Sequence, residues 1–530
     1  MLAATATVAT AHAQTPLPWP FAGGNIENTR ASLSAAGAQQ LNATTAANLT
    51  VKWTFVADSA VLATPTVEQG GLYVTDRGGT LYKIDPATGL AIWGHPLSYY
   101  TGIGGGGQAL RSSPAIGANG EIVVGDSAST NVIAVNRTTG KLIWKTVVDT
   151  NPDAFIHGSA VIYNGIVYIG VTSVEEGLAE KSSTYVPSFR GSLVALNETT
   201  GQVLWKFYTC PPGYTGATIW NSQPVVFAAA NSMIFATGNN YSIPTAVANC
   251  VRNSGNTPAL QARFGTKCLD PGDMVDAVVA LDLTTGALKW SRLLQGPDTF
   301  TGACVAGYAS CPNPVGTDFD FSSAPNLVDV PGFVGVADDR GGVSASYLLG
   351  AGEKSGMYWG INPYNGGLFW GTFIGHGEIH WGTAVNTNTN TDALIALNNY
   401  EGETNLLAGV NGVAQYWNAS AWGDVNLKTG KMIWQVPAFG TDLTNPAVGS
   451  YAPGAISYSN GVAFAGSSSG YLVALNAATG YGLWSFNTGA PAVSAPAIFN
   501  DTLYWGTGNS AQAGSKLYAF SIAATPAAQP

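Results

Sequence analysis

The chain has 530 residues, with 21 Lys and Arg against 31 Asp and Glu, so its formal net charge is −10. This acidic balance argues against nucleic-acid binding, which needs clustered cations. Every apolar run is broken by Gly, Pro, Asn or Asp before the roughly 18 residues that a membrane-spanning helix needs. The 66 Gly, 15 Trp and 22 Tyr instead favour many short strands joined by tight turns.

The N-terminal residues 1–13 are small and weakly apolar and end in Ala-x-Ala before Gln14. This pattern is typical of the tail of a secretory signal, although the basic region that begins such a signal is missing. The alternative is a disordered Ala/Thr leader. We predict a signal-peptide remnant at 1–13, an N-terminal arm at 14–50, and a secreted or periplasmic protein.

A repeated turn motif follows, Asn/Asp-x-x-Thr-Gly-x-x-x-Trp with slight variation, each time after an alternating apolar strand. Its seven copies end at Trp93, Trp144, Trp205, Trp290, Trp370, Trp434 and Trp484. Asp or Asn starts the turn by bonding its own backbone, Gly supplies a positive φ, and the next strand places Trp on a buried face. Repeats of about 40 or more residues with several strands indicate a propeller.

The two ends of the chain supply an eighth unit. Residues 516–520 match the strand that precedes the turn in the other copies, and residues 51–55 contain the missing Trp strand. We predict an all-β, eight-bladed β-propeller over 51–521 whose last blade is closed by the N- and C-terminal strands, with a disordered tail at 522–530. A seven-bladed ring with Trp53 in an arm is the alternative.

Two long insertions, at 241–275 and 297–325, separate some of the repeats, and long loops on a rigid scaffold often carry function. They hold four of the five cysteines. The economical pairing is Cys250–Cys268 and Cys304–Cys311 with Cys210 left over, although the sequence does not fix connectivity. No CxxC spacing exists, which argues against structural zinc, and no CxxCH exists for covalent c-type haem.

Polar residues that leave the repeat pattern occur where strands give way to loops, at 110–114, 156–159, 171–176, 219–221, 236–240, 317–321, 353–356 and 380–382. Carboxylates with an Asn amide oxygen suit a hard cation such as Ca²⁺, while Arg and Lys suit a carboxylated ligand. Any single one of these charges is equally well explained by its own blade turn. Together they favour a shared anion and metal site on the propeller axis.

The Trp repeats, with ATGNN, GTDFDFSSAP and GEKSGMYWGINPYNG, resemble the quinoprotein alcohol dehydrogenases that use pyrroloquinoline quinone (PQQ), over essentially residues 20–521. The segments WGHPL, VNRTTGKLIWK, Glu-Glu-Gly and DFDFSSAP are most similar to the polyvinyl alcohol dehydrogenase-like branch. The resemblance implies PQQ and Ca²⁺ as cofactors and an alcohol as substrate. Because no fused cytochrome domain is present, it also implies a separate electron acceptor such as a cytochrome c.

For the metal, the resemblance implies Asn239, Asp318 and a glutamate as ligands. Glu175 matches the family's calcium-binding Glu, three positions after a Ser or Thr, here Thr172, and the adjacent Glu176 is the alternative. Such an ion would act as a Lewis acid on the quinone carbonyl.

For catalysis and cofactor binding, Asp318 matches the family's catalytic aspartate, which takes the alcohol proton, and Asp320 is the alternative. The resemblance also implies cofactor contacts from Arg111, His157, Thr172, Trp220, Lys354 and Trp381. Many relatives place an adjacent cysteine pair beside the cofactor, and this chain has none, so one wall of the pocket is unexplained.

Two other readings compete with the dehydrogenase. An exported, non-catalytic propeller that acts as a protein-binding scaffold shares the repeat but needs no axial Glu, Asn, Asp and Lys. A hydrolase or lyase propeller could use the same carboxylates without a quinone, but it leaves Trp220 and the cations without a function.

Overall fold

The computed structural model describes residues 18–32, 40–104, 111–221, 223–409, 413–509 and 515–522. These residues form eight blades, each built on a four-stranded antiparallel sheet, which we number along the chain. The strands of blades 1 to 4, innermost first, are Thr66–Glu68, Gly71–Thr75, Thr80–Ile84 and Ala91–Pro96; Ala115–Ile116, Glu121–Gly125, Asn131–Asn136 and Leu142–Val147; Val161–Tyr163, Ile166–Ser173, Ser192–Asn197 and Val203–Tyr208; and Val225–Phe227, Ser232–Ala236, Ala277–Asp282 and Leu288–Leu293.

The remaining blades repeat this order. The strands of blades 5 to 8 are Asn326–Ala337, Val343–Gly352, Met357–Ile361 and Leu368–Phe373; Ala384–Val385, Asp392–Asn398, Ala421–Asn426 and Met432–Pro437; Ser457–Ser459, Val462–Gly466, Tyr471–Asn476 and Gly482–Asn487; and Ala497–Phe499, Thr502–Gly506, Lys516–Ile522 and Leu49–Val56. Short extra strands extend two blades or form separate hairpins: Ala154–Phe155, Thr215–Gly216, Asn240–Ser242, Glu378–Ile379, Asn405–Leu407 and Gln415–Trp417.

The last blade is shared between the two ends of the chain, as predicted. Its outermost strand, Leu49–Val56, pairs antiparallel with Lys516–Ile522, and Trp53 lies opposite Ala519. Trp53 is therefore part of a blade, and the seven-bladed alternative is wrong. This closure leaves no unpaired strand where the ring begins and ends.

Neighbouring blades are joined through the tryptophans of the repeat. Six indole nitrogens donate to a backbone carbonyl in the following blade: Trp53 to Pro86, Trp144 to Glu198, Trp290 to Pro363, Trp370 to Leu427, Trp434 to Ala477 and Trp484 to Leu49. The turn glycine of the following blade lies flat against the same ring, as Gly201 does on Trp144. The motif thus fixes both the hairpin and the contact between blades.

Replacing Gly201 by alanine is expected to destabilise the protein by about 2–4 kcal/mol. The new Cβ would lie 2.5 Å from Trp144, and the backbone φ of 72° strains any L side chain. Gly165 is the matched control in the same blade, because its φ is 78° but a Cβ there meets nothing within 4 Å. Urea unfolding midpoints should fall further for Gly201→Ala than for Gly165→Ala; equal losses would contradict the packing account.

An N-terminal segment, residues 18–32, crosses the central channel, and we call it the axial segment. Trp19 pairs with Val67 of blade 1. Further backbone hydrogen bonds join Pro20, Ile26, Glu27, Thr29 and Arg30 to the innermost strands of blades 2, 4, 5, 6 and 7. Because these contacts reach six blades around the ring, the segment lies across its inner face.

Helices occur mainly in the insertions. They are α1 (Leu97–Thr101), α2 (Glu175–Lys181), α3 (Thr245–Asn253), α4 (Pro258–Gly265) and α5 (Gly302–Val305), with 3₁₀ turns at Ala46–Asn48, Ala228–Ala230 and Thr266–Cys268. Within the described residues, no helix is both long and apolar enough to cross a membrane. The predicted disulfides Cys250–Cys268 and Cys304–Cys311 are present, and Cys210 is buried and free.

Candidate active site

A cavity of about 770 Å³ opens between α2, the loop before blade 5 and two loops of blade 6. Glu176 and Leu178 of α2 line one side, and Asp318, Lys354 and Glu378 line another. A rigid propeller places these residues together although they are up to about two hundred positions apart in sequence. The cavity is large enough for a small-molecule ligand.

Lys354 lies at the centre of the site and forms ion pairs with two carboxylates. Its Nζ lies 2.9 Å from Asp318 Oδ1 and 3.2 Å from Asp320 Oδ2. Asp320 also accepts hydrogen bonds from Trp220 Nε1, at 2.9 Å, and from the backbone nitrogen of Asn239. Asp320 is therefore a structural hub, while Asp318 is the carboxylate that faces the cavity.

Local backbone geometry makes this arrangement possible. A Cβ at Gly238 would lie 2.8 Å from the Asp320 carboxyl carbon, so glycine in the Ala-Thr-Gly-Asn segment lets that carboxylate approach. Asp318 and Trp381 adopt φ values of 60° and 57°, and Asp276 one of 41°. Positive φ is rare outside glycine, and such strained residues concentrate at functional sites.

Burial and mutual repulsion disturb the acidic groups of the site. Burial, and then the nearby Asp320, raise the pKa of Asp318 to about 8 despite the opposing effect of Lys354. Burial also raises the pKa of Glu176 to about 7, and that of Glu353 to about 7. Burial opposes the charge of Lys354, but Asp320 and Asp318 raise its pKa well above the ordinary value. Excess negative charge therefore surrounds a single lysine.

The raised pKa values predict how the stability of the metal-free protein changes with pH. Between pH 6.5 and 8.5 the folded state binds more protons than the unfolded state at Glu176, Glu353 and Asp318, so the free energy of unfolding falls as pH rises. Burial lowers the folded-state pKa of His157 to about 3, whereas the unfolded imidazole titrates near 6.5, so His157 opposes this fall only at the lower end of the range. We expect Tm to drop by about 2–5 °C between these pH values, and a Tm that rises would contradict the assignment.

The two adjacent glutamates of α2 point in different directions. Glu175 is fully buried and accepts hydrogen bonds from Tyr185, Ser188 and Phe189. The 185–189 loop therefore already uses the acceptor oxygens of this carboxylate. Glu176 lines the cavity, and no described residue hydrogen-bonds its carboxylate. Successive residues of a helix lie about 100° apart, which explains the difference.

The donor atoms fit a hard cation if a ligand completes the set. The described parts of the chain contain no group of three His, Cys, Asp or Glu side chains that could hold a metal by themselves. Glu176 and Asp318 nevertheless border one cavity, and Asn239 donates through Nδ2 to the carbonyls of Asn240 and Phe300, which leaves its Oδ1 available. Two carboxylates and an amide oxygen are donors that Ca²⁺ prefers.

Aromatic rings and cations occupy the axis beneath this acidic site. Trp220 and Trp381 meet edge to face with ring centroids 5.4 Å apart, and His157 lies 5.3 Å from Trp381. The Arg111 guanidinium stacks 4.2 Å over Trp381, and Lys354 Nζ lies 5.3 Å over Trp220. Trp381 and His157 thus pack next to Trp220. No adjacent cysteine pair exists in this chain to take that place.

The structure brings most of the predicted site residues together. The exceptions are Glu175, whose carboxylate is bound by the 185–189 loop, and Thr172, which is buried in blade 3, pairs with Phe155 and does not line the cavity. The sequence analysis missed four other residues near the site, Arg30, Asp276, Asp298 and Glu378. It placed Glu353 and His380 among the polar residues at strand ends but gave them no role. A charged residue in a chain where only 10% of residues are charged was the available signal, but Arg30 and Asp298 lie outside the repeat and could not be aligned to a blade.

Fold and site together define an eight-bladed Trp-motif β-propeller with an acidic and aromatic axial site. Over residues 14–177 and 421–525 the chain matches the family described as outer membrane protein assembly factor BamB. These stretches make up half of the chain, and the protein belongs to this family.

Named relatives extend over more of the chain. Polyvinylalcohol dehydrogenases from Sphingopyxis sp. (strain 113P3) and Pseudomonas sp. are 28% and 27% identical, over 84% and 90% of this chain and 64% and 68% of their own length. The crystal structure of quinohemoprotein alcohol dehydrogenase from Comamonas testosteroni matches with a TM-score of 0.67 at 18% identity, over 96% of this chain and 81% of that one. The chain thus spans about two thirds of the length of the two polyvinylalcohol dehydrogenases.

Proposed function

We propose that this protein oxidises an alcohol to a carbonyl compound and that it depends on PQQ and Ca²⁺. The observation that carries the proposal is the position of Asp318, at the cavity and 2.9 Å from Lys354, which in turn lies over Trp220. A carboxylate base, a cation and an aromatic plane are the groups that alcohol oxidation on a bound quinone requires.

Each residue has a task in this proposal. Asp318 accepts the hydroxyl proton of the alcohol, and Lys354, 2.9 Å away, holds the carboxyl group in place and opposes the rise of its pKa. Glu176, Asn239 and Asp318 would hold the metal, and the Trp220 ring would pack against the cofactor. When bound, the quinone would supply the hydride acceptor and Ca²⁺ a Lewis acid.

The rim of the cavity favours an uncharged substrate. Glu180, Glu401 and Glu403 are exposed at the rim beside Tyr400, and Lys181 is the cation among the exposed lining residues. Such a surface repels carboxylated alcohols and leaves neutral ones unaffected. Secondary or polymeric alcohols, polyvinyl alcohol among them, fit this preference, and the names of the two long relatives support it.

Two further parts of the proposal concern the surroundings of the enzyme. Electrons leave to a separate acceptor such as a cytochrome c. The protein is secreted or periplasmic, and its two disulfides support an oxidising compartment. Residues 1–13, on which the signal-peptide prediction falls, lie outside the described residues.

A protein-binding scaffold is the second candidate, because the matching family is described as an assembly factor. A scaffold has no use for an unpaired cavity carboxylate such as Glu176 or for Lys354 held between two aspartates. The two candidates differ in whether the protein binds a quinone.

Reconstitution tests the proposal. The full chain is incubated with PQQ and Ca²⁺, and reduction of an artificial dye is followed with neutral primary, secondary and polymeric alcohols and with a carboxylated alcohol. We expect PQQ-dependent turnover of neutral alcohols and slower turnover of the carboxylated one. Absence of PQQ binding would remove the dehydrogenase proposal and favour the scaffold.

A further inference from the structure

Arg30 is a buried arginine of the axial segment. It is 1% exposed, its Nε donates to the Ile456 carbonyl at 3.0 Å, and its Nη2 donates to Thr64 Oγ1 at 3.1 Å. No carboxylate of the described residues lies within ion-pair distance of its guanidinium. These two bonds leave part of the fork, which has five N–H donors, without a partner.

A buried, unpaired guanidinium is costly, so its place in the fold needs an explanation. Burial lowers the pKa of Arg30 to about 9, because the charged form loses its hydration. Charges that remain inside proteins are normally paired or bound to a ligand. The axial segment could have been anchored by an uncharged side chain that hydrogen-bonds the same two oxygens.

A second cation faces the same place. Arg30 and Arg111 both line a small axial cavity of about 20 Å³, together with Thr64, Ser159 and Trp381. Among the described residues, Arg111 also lacks a carboxylate partner and stacks on Trp381 instead. A space of this size holds one small polar group, such as a water molecule or the end of a carboxylate, and no complete cofactor.

We propose that Arg30 and Arg111 together bind one carboxylate of the quinone cofactor, so that the axial segment supplies part of the cofactor site. The proposal rests on the proposed function, because it takes PQQ, a tricarboxylate, as the ligand. Arginine binds carboxylates through paired N–H donors and stays charged when buried, which suits it to this position. The axial segment then closes the channel and also recognises the cofactor.

Binding experiments on the full chain test this assignment without measuring turnover. Apoprotein with Ca²⁺ is titrated with PQQ, and quenching of tryptophan fluorescence gives Kd. We expect Arg30→Gln to weaken PQQ binding about 10- to 100-fold and Arg30→Lys to weaken it less. Arg292→Gln, which removes a surface ion pair with Asp339, is the matched control and should leave Kd unchanged.

A methylated cofactor separates recognition of charge from anchoring of the segment. The trimethyl ester of PQQ has no carboxylate, so wild type and Arg30→Gln should bind it with similar Kd. If Arg30 only anchors the segment, its variants will lower the Tm of the apoprotein and weaken PQQ and its ester equally, and the proposal is overturned. Should Arg30→Gln fail to fold, the same comparison with Arg30→Lys decides.

The proposed function and this inference fail in different ways. If wild type does not bind PQQ, both are wrong. If wild type binds PQQ and Arg30→Gln binds it equally well, the inference alone is wrong and the dehydrogenase proposal stands.

Discussion

Replacing Asp318 by asparagine is expected to lower kcat for alcohol oxidation about 10³-fold, the usual contribution of a general base, while PQQ stays bound. Asparagine is nearly isosteric with aspartate and tolerates the φ of 60° at this position, so the backbone should not change. Lys354 retains Asp320 at 3.2 Å as its partner. Dye-coupled turnover and a PQQ titration of the same sample provide the two measurements.

Asp320→Asn is the informative comparison. Asp320 is 3% exposed and holds Trp220, Asn239 and Lys354 through direct contacts. Its replacement should weaken PQQ binding and lower Tm, because several partners lose their acceptor at once. If instead Asp318→Asn stays active and Asp320→Asn loses only turnover, the base is Asp320.

The propeller was predictable because each residue of the repeat has a local cause. Asn or Asp starts the turn, Gly adopts the positive φ and Trp fills the space beside the next turn, so reading one copy explains all seven. The strand that contains Trp53 could be assigned to the last blade, because the C-terminal strand of that blade is not followed by a strand with the repeat tryptophan. The ring closure observed at Trp53 and Ala519 follows from that single gap.

The site was less predictable, since side-chain direction and long-range packing decide it. Asp318 and Lys354 were found because they interrupt a pattern and match a family motif. Arg30 was not found, because it lies in the axial segment, which crosses the channel and has no periodic sequence pattern. The direction of adjacent residues on α2 depends on where that short helix begins, which the sequence left open.

The adjacent glutamates of α2 give the second large effect. Glu176→Gln is expected to weaken Ca²⁺ binding by at least about 100-fold. Replacing a residue that only hydrogen-bonds a metal ligand already costs about 10- to 100-fold in metal affinity, and Glu176 is proposed as a ligand itself. The apoprotein should be no less stable than wild type at pH 8.5, since the change removes a carboxylate whose pKa burial raises to about 7. Calorimetric titration of PQQ-loaded protein with Ca²⁺, and Tm of the apoprotein, measure the two effects.

Glu175→Gln is the matched control, with the same chemical change one residue earlier on the helix. Its carboxylate accepts bonds from Tyr185, Ser188 and Phe189, and an amide presents one acceptor oxygen where two are used. We therefore expect a loss of about 1–3 kcal/mol in stability with little change in Ca²⁺ affinity. If Glu175→Gln abolishes Ca²⁺ binding while Glu176→Gln does not, the metal lies on the other face of α2, and the 185–189 loop must open to admit it.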